Sequence, residues 1–323
     1  MLKNKKILIT GAAGFIGSYL TQNLLKNNNF LILVDNFNDY YSGKEDRLNT
    51  ILDNYESRKN YVLLKDDILN PKLYEQLPTN LEYIFHLAAQ AGVRYSIKHA
   101  SEVATVNIIG TVNLLEYAKS LEDLRRFVFA SSSSVYGNPR YVPCDEDHPK
   151  NPISPYSISK LAAEIYVNYY YNQFSIPTTN LRFYTVYGPN GRPDMAIEKF
   201  FNLMLQNKPI TIYGTGKQLR DFTYISDIIN GIISSSETEH AIGETFNLGF
   251  SNPISVNELV HIMQTLTQTP TKVQYEKPQM GDVDITHSKI DKAKKILNYH
   301  PKVSIQEGLK KYYTWMQEKK SKI

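Results

Sequence analysis

Short apolar runs alternate along the chain with longer stretches in which apolar residues recur at helical spacing. The runs cover residues 6–10, 30–34, 61–64, 83–87, 126–130 and 178–184. Within them apolar residues follow one another without the in-and-out alternation of a sheet that has one wet face, which predicts strands buried on both sides. Strands separated by helical patterns predict a parallel sheet covered by helices on both faces, a doubly wound α/β core. After Phe183 the pattern loosens into the turn-rich segments 188–193 and 214–216, with helices expected over 196–206 and 256–266. The expected organisation is therefore a core over 1–183 and a smaller C-terminal substrate-binding lobe over 184–323. Segments 223–234 and 244–248 are expected to return to the main sheet.

The first run leads directly into Gly11-Ala12-Ala13-Gly14-Phe15-Ile16-Gly17, followed by a helical pattern through Leu20, Leu24 and Leu25. In such a turn one glycine permits the bend, one lets the backbone approach a pyrophosphate, and one lets helix pack closely on sheet. The helix N-terminus adds N–H groups and the positive end of its dipole. Three glycines alone are a common pattern. Their setting is more specific, because the second run ends at Val34-Asp35-Asn36, where a carboxylate accepts hydrogen bonds from ribose hydroxyls and repels a 2′-phosphate; NAD is expected rather than NADP. Further cofactor contacts are expected at strand ends, from Asp67 and Ile68 after the third run and from Leu87, Ala88, Ala89 and Gln90 after the fourth. The alternative is a plain turn followed by a surface aspartate.

Tyr156 and Lys160 are four residues apart and so share one helical face. A phenol with an ordinary pKa near ~10 is a poor base at neutral pH, but a nearby ammonium and a positive nicotinamide ring favour its phenolate. Among 24 tyrosines this spacing arises easily by chance. Upstream, at the end of the fifth run, stands Ser131-Ser132-Ser133-Ser134-Val135-Tyr136-Gly137. In this order the Gly-x-x-Gly-x-x-Gly turn, Asp35, the serine run and the Tyr156/Lys160 pair resemble the extended short-chain dehydrogenase/reductase family. The resemblance implies a Rossmann-type NAD-binding domain in which Ser132 bonds the reacting hydroxyl, Tyr156 is the base and Lys160 supports it. It also implies Asp67 at the adenine amino group and Asn107 close to Lys160.

The resemblance covers nearly the whole chain and extends to the nucleotide-sugar branch. Leu181-Arg182-Phe183-Tyr184-Thr185-Val186-Tyr187-Gly188-Pro189 looks like that branch's substrate loop. Arg220-Asp221-Phe222-Thr223-Tyr224 resembles the segment whose arginine pairs with a diphosphate, a task suited to a guanidinium fork. Gln279, before Gly281-Asp282, stands where UDP-galactose 4-epimerases carry an arginine, which implies that one phosphate contact is weaker or supplied elsewhere. In the branch's 4,6-dehydratases the two residues after the catalytic Ser or Thr are acids; here they are Ser133 and Ser134, which points to epimerisation at C4 through a 4-keto sugar. Segments 89–96, 131–134 and 191–196 are similar to UDP-glucuronate 4-epimerases, and Thr185 replaces the Asn of neutral-sugar epimerases with a hydroxyl that can donate to a carboxylate. Arg94 and Arg192 stand as contacts for diphosphate or carboxylate, or as packing residues. Two alternatives stay open: a 4-epimerase of neutral UDP-hexoses or their N-acetyl forms, which segment 214–221 fits equally, and a non-catalytic NAD-binding scaffold on the same fold. Family likeness further implies a homodimer built on the helix through Ile165, Tyr166, Tyr169 and Tyr170 and on the helix near 103–117.

Composition narrows the classes without changing this picture. With 42% hydrophobic and 21% charged residues the chain is an ordinary globular protein. Its net charge of +4 lacks the basic, aromatic-interleaved stripe of a nucleic-acid binder, and the lysines from Lys310 to Lys322 read as a solvated helix face. The N-terminal apolar run is too short for a signal peptide, and no run approaches the ~20 residues of a membrane span. The one cysteine, Cys144, fits a reducing cytoplasm. No histidine or cysteine spacing suggests a metal. His86 reads as a packed strand residue, and Asp145-Glu146-Asp147 as an exposed acidic turn.

Overall fold

The computed structural model describes residues 2–55 and 60–320; Met1 and Lys322 lie outside them. Seven strands form one sheet: β1 (Lys6–Thr10), β2 (Phe30–Asp35), β3 (Tyr61–Lys65), β4 (Tyr83–His86), β5 (Arg126–Ser132), β6 (Thr178–Phe183) and β7 (Glu244–Leu248). Their spatial order is β7-β6-β5-β4-β1-β2-β3 and every pairing is parallel. Ile7 and Ile9 of β1 enter one apolar cluster with Leu33, Phe85 and Val128, while Leu8 enters the other with Ile32, Ile84 and Phe127. Except at edge strand β3, where Val62 is exposed, both faces are dry, which is why the strands read as unbroken apolar runs. Strand order reverses between β1 and β4, and in such sheets that reversal opens a crevice beyond the strands' C-terminal ends.

Four helices matter for the site: α1 (Phe15–Leu25), α2 (Gly110–Ala118), α3 (Pro155–Phe174) and α4 (Ile225–Glu237). Helix α3 starts where it does because Ser154 caps it in a reciprocal box with Ser157, at 3.2 and 2.9 Å, and Pro155 occupies the first turn. It stops at Ser175, which adopts a left-handed conformation with φ of 57°. Helix α2 continues Ala100–Ala104 through a π-helical turn, Thr105–Ile109, that carries Asn107.

Of the two segments expected to return to the sheet, 244–248 is its edge strand β7. Segment 223–234 is not a sheet strand. Phe222–Tyr224 pairs with Thr185–Tyr187 in a separate ribbon, and α4 then packs on β5 and β6. Its isoleucines Ile228, Ile229 and Ile232 recur at helical spacing and are buried, so the helical period prevails there. Two more two-stranded ribbons and the helices Ala196–Leu205, Val256–Thr267 and Ile305–Lys320 build the rest. The larger core cluster runs without a break from Ile9 and Leu33 to Phe201, Met263 and Leu309, so core and lobe share one apolar interior. The last helix buries Leu309, Tyr312 and Met316 and turns Lys310, Lys311 and Lys319 outward, with Lys311 paired to Glu307.

Candidate active site

At the strand-order reversal the glycine loop has no room for side chains. A Cβ on Gly11, which has φ of +73°, would lie 2.6 Å from Ala88 N; one on Gly17 would lie 2.0 Å from Gly11 O. Helix α1 begins after Gly14 without a side-chain cap, which leaves its first N–H groups available to an anion. Asp35, 9% exposed, does more than face the crevice. Its two carboxylate oxygens accept from Ala13 N and Phe37 N, each at 2.9 Å, so it also fixes the glycine loop against β2.

Gly11, Gly14, Phe15, Ile16, Gly17, Asp35, Asn36, Asp67, Ile68 and the segment Leu87 to Gln90 all line one cavity of about 400 Å³. Asn36 donates to Asp67 at 2.8 Å and so joins the ends of β2 and β3. Asn107 lies behind the wall: its amide exchanges hydrogen bonds with both backbone groups of Gln90, at 2.8 and 3.1 Å, and donates to Ser159 on α3 at 2.9 Å. It thereby ties the loop after β4 to α3. The Gln90 Nε2 and Ser134 Oγ atoms are buried with no protein partner, and both residues line the cavity. Two unpaired polar atoms on one wall suit a bound polar molecule.

Ser132, Ser133, Ser134, Tyr156, Lys160, Thr185 and Arg192 line the same cavity. Burial pushes the Tyr156 phenol up, while the Arg192 guanidinium and a hydrogen bond with Ser132 act against it. Lys160 is 3% exposed, and its Nζ donates to Ala130 O at 2.7 Å. Burial pushes it down to about 7, with Glu164 opposing the shift. Arg192 forms a two-point pair with Asp194, at 3.0 and 2.6 Å, and lies over the Tyr40 ring, whose hydroxyl also donates to Asp194.

Arg94, Arg220 and Gln279 do not line this cavity. Arg94 stacks on Tyr213 and pairs with Asp282 at 3.1 Å; Arg220 lies near Arg94, Asp282 and Asp284, and burial lowers its pKa. Gln279 bonds the same loop through its carbonyl, which accepts from Asp282 N. They form a second group that meets the cavity at Val93, against which Gly281 packs. His86 is buried between Thr10 and Thr111 at 2.7 and 2.9 Å, and burial lowers it to about 3, so it stays neutral. The acidic turn differs from expectation: Glu146 is half-buried, and its side chain accepts from Asn247 N at 2.8 Å.

Several lining residues carry no sequence signal. Asn38, Tyr40 and Tyr41 come from the irregular segment after β2 and Lys44 from the start of the helix Lys44–Asp53, with Lys44 bonded to Asn38 at 2.6 Å. Glu164, Arg182 and Ser131 form a buried network behind Lys160 whose members are scattered in sequence. Among the described residues no group of His, Cys, Asp and Glu could hold a metal ion, and no helix is long and apolar enough to cross a membrane.

Residues 8–312 match the protein family described as GDP-mannose 4,6 dehydratase. A UDP-glucuronate 4-epimerase of Thermodesulfobacterium geofontis is 39% identical over 96% of this chain and 96% of its own length. The crystal structure of UDP-glucuronic acid 4-epimerase from Bacillus cereus with UDP-glucuronic acid and NAD superposes with a TM-score of 0.89 at 37% identity, over 97% of this chain and 99% of that one. UDP-glucose 4-epimerase from Thermotoga maritima, with UDP-glucose, superposes with a TM-score of 0.89 at 32% identity and the same coverage.

Proposed function

The chain belongs to the family described as GDP-mannose 4,6 dehydratase, and on that premise we propose that it is an NAD-dependent UDP-sugar 4-epimerase that converts UDP-glucuronate to UDP-galacturonate. One observation carries this: Ser132, Tyr156 and Lys160 share their cavity with Thr185 and Arg192 and with Ser133 and Ser134, which stand directly after Ser132 in place of acids, while the aspartates of the same cavity, Asp35, Asp66 and Asp67, belong to the ends of β2 and β3. Dehydration needs groups that remove a carbon-bound proton and protonate a leaving hydroxyl, and serines cannot do so near neutral pH. Epimerisation needs neither.

The crowded glycine loop, the uncapped start of α1 and Asp35 fit NAD. Bound there, NAD supplies the acceptor of the C4 hydride and gives the hydride back. Tyr156 takes the C4 hydroxyl proton, with Ser132 holding that hydroxyl and the buried ammonium of Lys160 favouring the phenolate. Once the 4-keto sugar has turned in the cavity, Tyr156 returns the proton to the same oxygen, so the product is an isomer with no net oxidation. Arg94 and Arg220 take the diphosphate at the second group, with Gln279 beside them.

Oxidation at C4 of a uronate places a ketone β to the carboxylate, and carbon dioxide leaves when the bond to the carboxylate aligns perpendicular to the carbonyl plane. Thr185, Ser133 and Ser134 hold the carboxylate away from that alignment. A charge-assisted hydrogen bond is worth about 1.5–3 kcal/mol, enough to change partitioning roughly tenfold or more. The test follows products of UDP-glucuronate, UDP-glucose and UDP-N-acetylglucosamine by NMR. Wild type should give UDP-galacturonate with little 4-keto-pentose, and Thr185→Val should raise KM for the uronate and release more decarboxylated product. Unchanged KM and partitioning in the variant, or a preference for UDP-glucose, would favour the neutral-hexose reading instead.

The outer face of α3 supports a homodimer. Ile165 is 62% and Tyr169 50% exposed, beside Ile158 and Tyr166 on the same helix, while Ile109, 50% exposed, ends the π-helical turn before α2. Tyr170, expected on this face, is buried within one copy. The lone Cys144 is buried and free, in keeping with a cytoplasmic enzyme.

A further inference from the structure

Each of the three residues that end β5 meets one residue of α3. The Ala130 carbonyl accepts from Lys160 Nζ, the Ser131 hydroxyl donates to Glu164 Oε1, and the Ser132 hydroxyl stands beside Tyr156 and favours its phenolate. Positions 156, 160 and 164 are successive turns of one helical face, so three stacked side chains face three consecutive strand residues. Glu164 is gripped from the far side by Arg182 of β6, with Nε to Oε1 at 3.0 Å and NH2 to Oε2 at 2.8 Å. Arg182 reaches on to the Tyr136 hydroxyl at 2.8 Å, and Tyr136 to Asn247 of β7 at 2.7 Å. The side chains of Glu164 and Arg182 are only 2% and 5% exposed.

A buried ion pair is weak support for stability, because desolvation offsets its Coulombic gain and an apolar pair of similar size often serves as well. This one stands one turn beyond Lys160, on the same face. We propose that Glu164 is a positioning residue of the reaction: held by Ser131 and Arg182, it seats the Tyr156/Lys160 face of α3 on the end of β5 and sets a fixed negative charge beside the Lys160 ammonium. The proposal rests on the roles given above to Tyr156 and Lys160.

The groups facing Lys160 are Tyr156 and Glu164 on its own helix, the neutral His86 on β4, the Phe129 ring and Ala130 carbonyl on β5, and Arg182 on β6 behind Glu164. Glu146 and Lys150 border Arg182 and Glu164 more remotely. Glu164 is the group that opposes the effect of burial on Lys160. Removing its charge should let Lys160 lose its proton at lower pH, by roughly one unit for an opposite charge at this range.

Two measurements on NAD-loaded Glu164→Gln and Glu164→Asp test this. The first is the alkaline limb of the kcat profile, and the second the titration of Lys160 by NMR of protein with labelled lysine ε-carbons, assigned with Lys160→Arg. Glu164→Gln should move limb and titration down by roughly one unit, and Glu164→Asp should bring both back towards wild type. If Glu164→Gln folds, binds NAD and superimposes on wild type in both, Glu164 is only structural and the proposal fails. If Glu164→Gln does not fold with Arg182 unpaired, Glu164→Gln/Arg182→Met removes both charges, and an unchanged Lys160 titration there overturns the proposal as well. The NMR titration needs no turnover, so an inactive wild type would refute the epimerase reading while leaving this one measurable.

Discussion

The two faces of α3 differ from those of an ordinary surface helix. Inward, the helix presents Lys160 and Glu164, with Tyr156 half-buried, beside the core residues Ala163, Val167 and Tyr170; outward it presents Ile158, Ile165, Tyr166 and Tyr169. An ordinary amphipathic helix buries its apolar stripe and wets its charges. The inner face can keep charges only because each has a fixed partner: Ala130 O for Lys160, Arg182 and Ser131 for Glu164. The outer face exposes apolar side chains, as the proposed homodimer would require. On the proposed function, one helix would thus meet two demands, chemistry within and association without.

The largest test strikes the inner face. Tyr156→Phe should lower kcat by at least ~100-fold, the range for loss of a general base, while NAD remains bound as judged by its release on denaturation. Near-normal turnover would mean that another group takes the proton. Next comes the outer face. Ile165→Asp with Tyr169→Asp should weaken self-association by about 100-fold, since an isologous contact loses each buried side chain twice; light scattering at micromolar concentration should then report a single-chain mass. A wild type already of single-chain mass would leave the outer face without its partner.

A smaller effect measures what the inner charge costs. The folded value of Lys160, about 7, lies below its ordinary one, so between the two the unfolded chain holds a proton that the folded chain lacks, and stability rises with pH. The lysine's contribution is fully present above the unfolded value and lost as pH falls to 7. Lys160→Met should therefore unfold less readily than wild type at pH 6, by about 1–3 kcal/mol, and the advantage should shrink as pH rises above 7; a Met variant less stable than wild type at pH 6 would contradict this. The smallest change is Tyr170→Phe, which removes the bond from α3 to Glu116 of α2. With Glu116 half-exposed and also paired to Lys119, the cost should be about 1 kcal/mol or less in denaturant melts, with kcat unmoved.

Much of this architecture could be read before any coordinates. The strands of the first half appear within a residue or two of their apolar runs, because a strand buried on both faces writes itself as a continuous apolar run. The glycine turn and Asp35 could be read for a similar reason: backbone crowding at Gly11 and Gly17 leaves a local mark. What could not be read depends on distance along the chain. Glu164 looks like a surface charge, and Arg182 like an isolated charge in an apolar run, until β6 brings them together behind β5. Tyr40 lies in a segment with no period, and Lys44 opens the helix that follows it. Arg94 and Arg220, 126 positions apart, share a corner with Asp282 only because the lobe folds back. Segment 223–234 is rich in isoleucine, which suits strand and helix alike, and packing makes most of it helix.

The last strand of the sheet has a consequence for synthesis. β7 is separated from its neighbour β6 by ~60 residues, and a ribosome adding roughly 5–20 residues per second takes several seconds to deliver it. Through that interval β6 is an open edge, whose unpaired N–H and C=O groups invite pairing with other nascent chains. Tyr136 and Arg182 also wait, since Asn247 arrives with β7. Release of a chain ended before residue 244 should leave that edge permanently bare and the product prone to aggregate, even though the glycine loop, Ser132, Tyr156 and Lys160 have all been made.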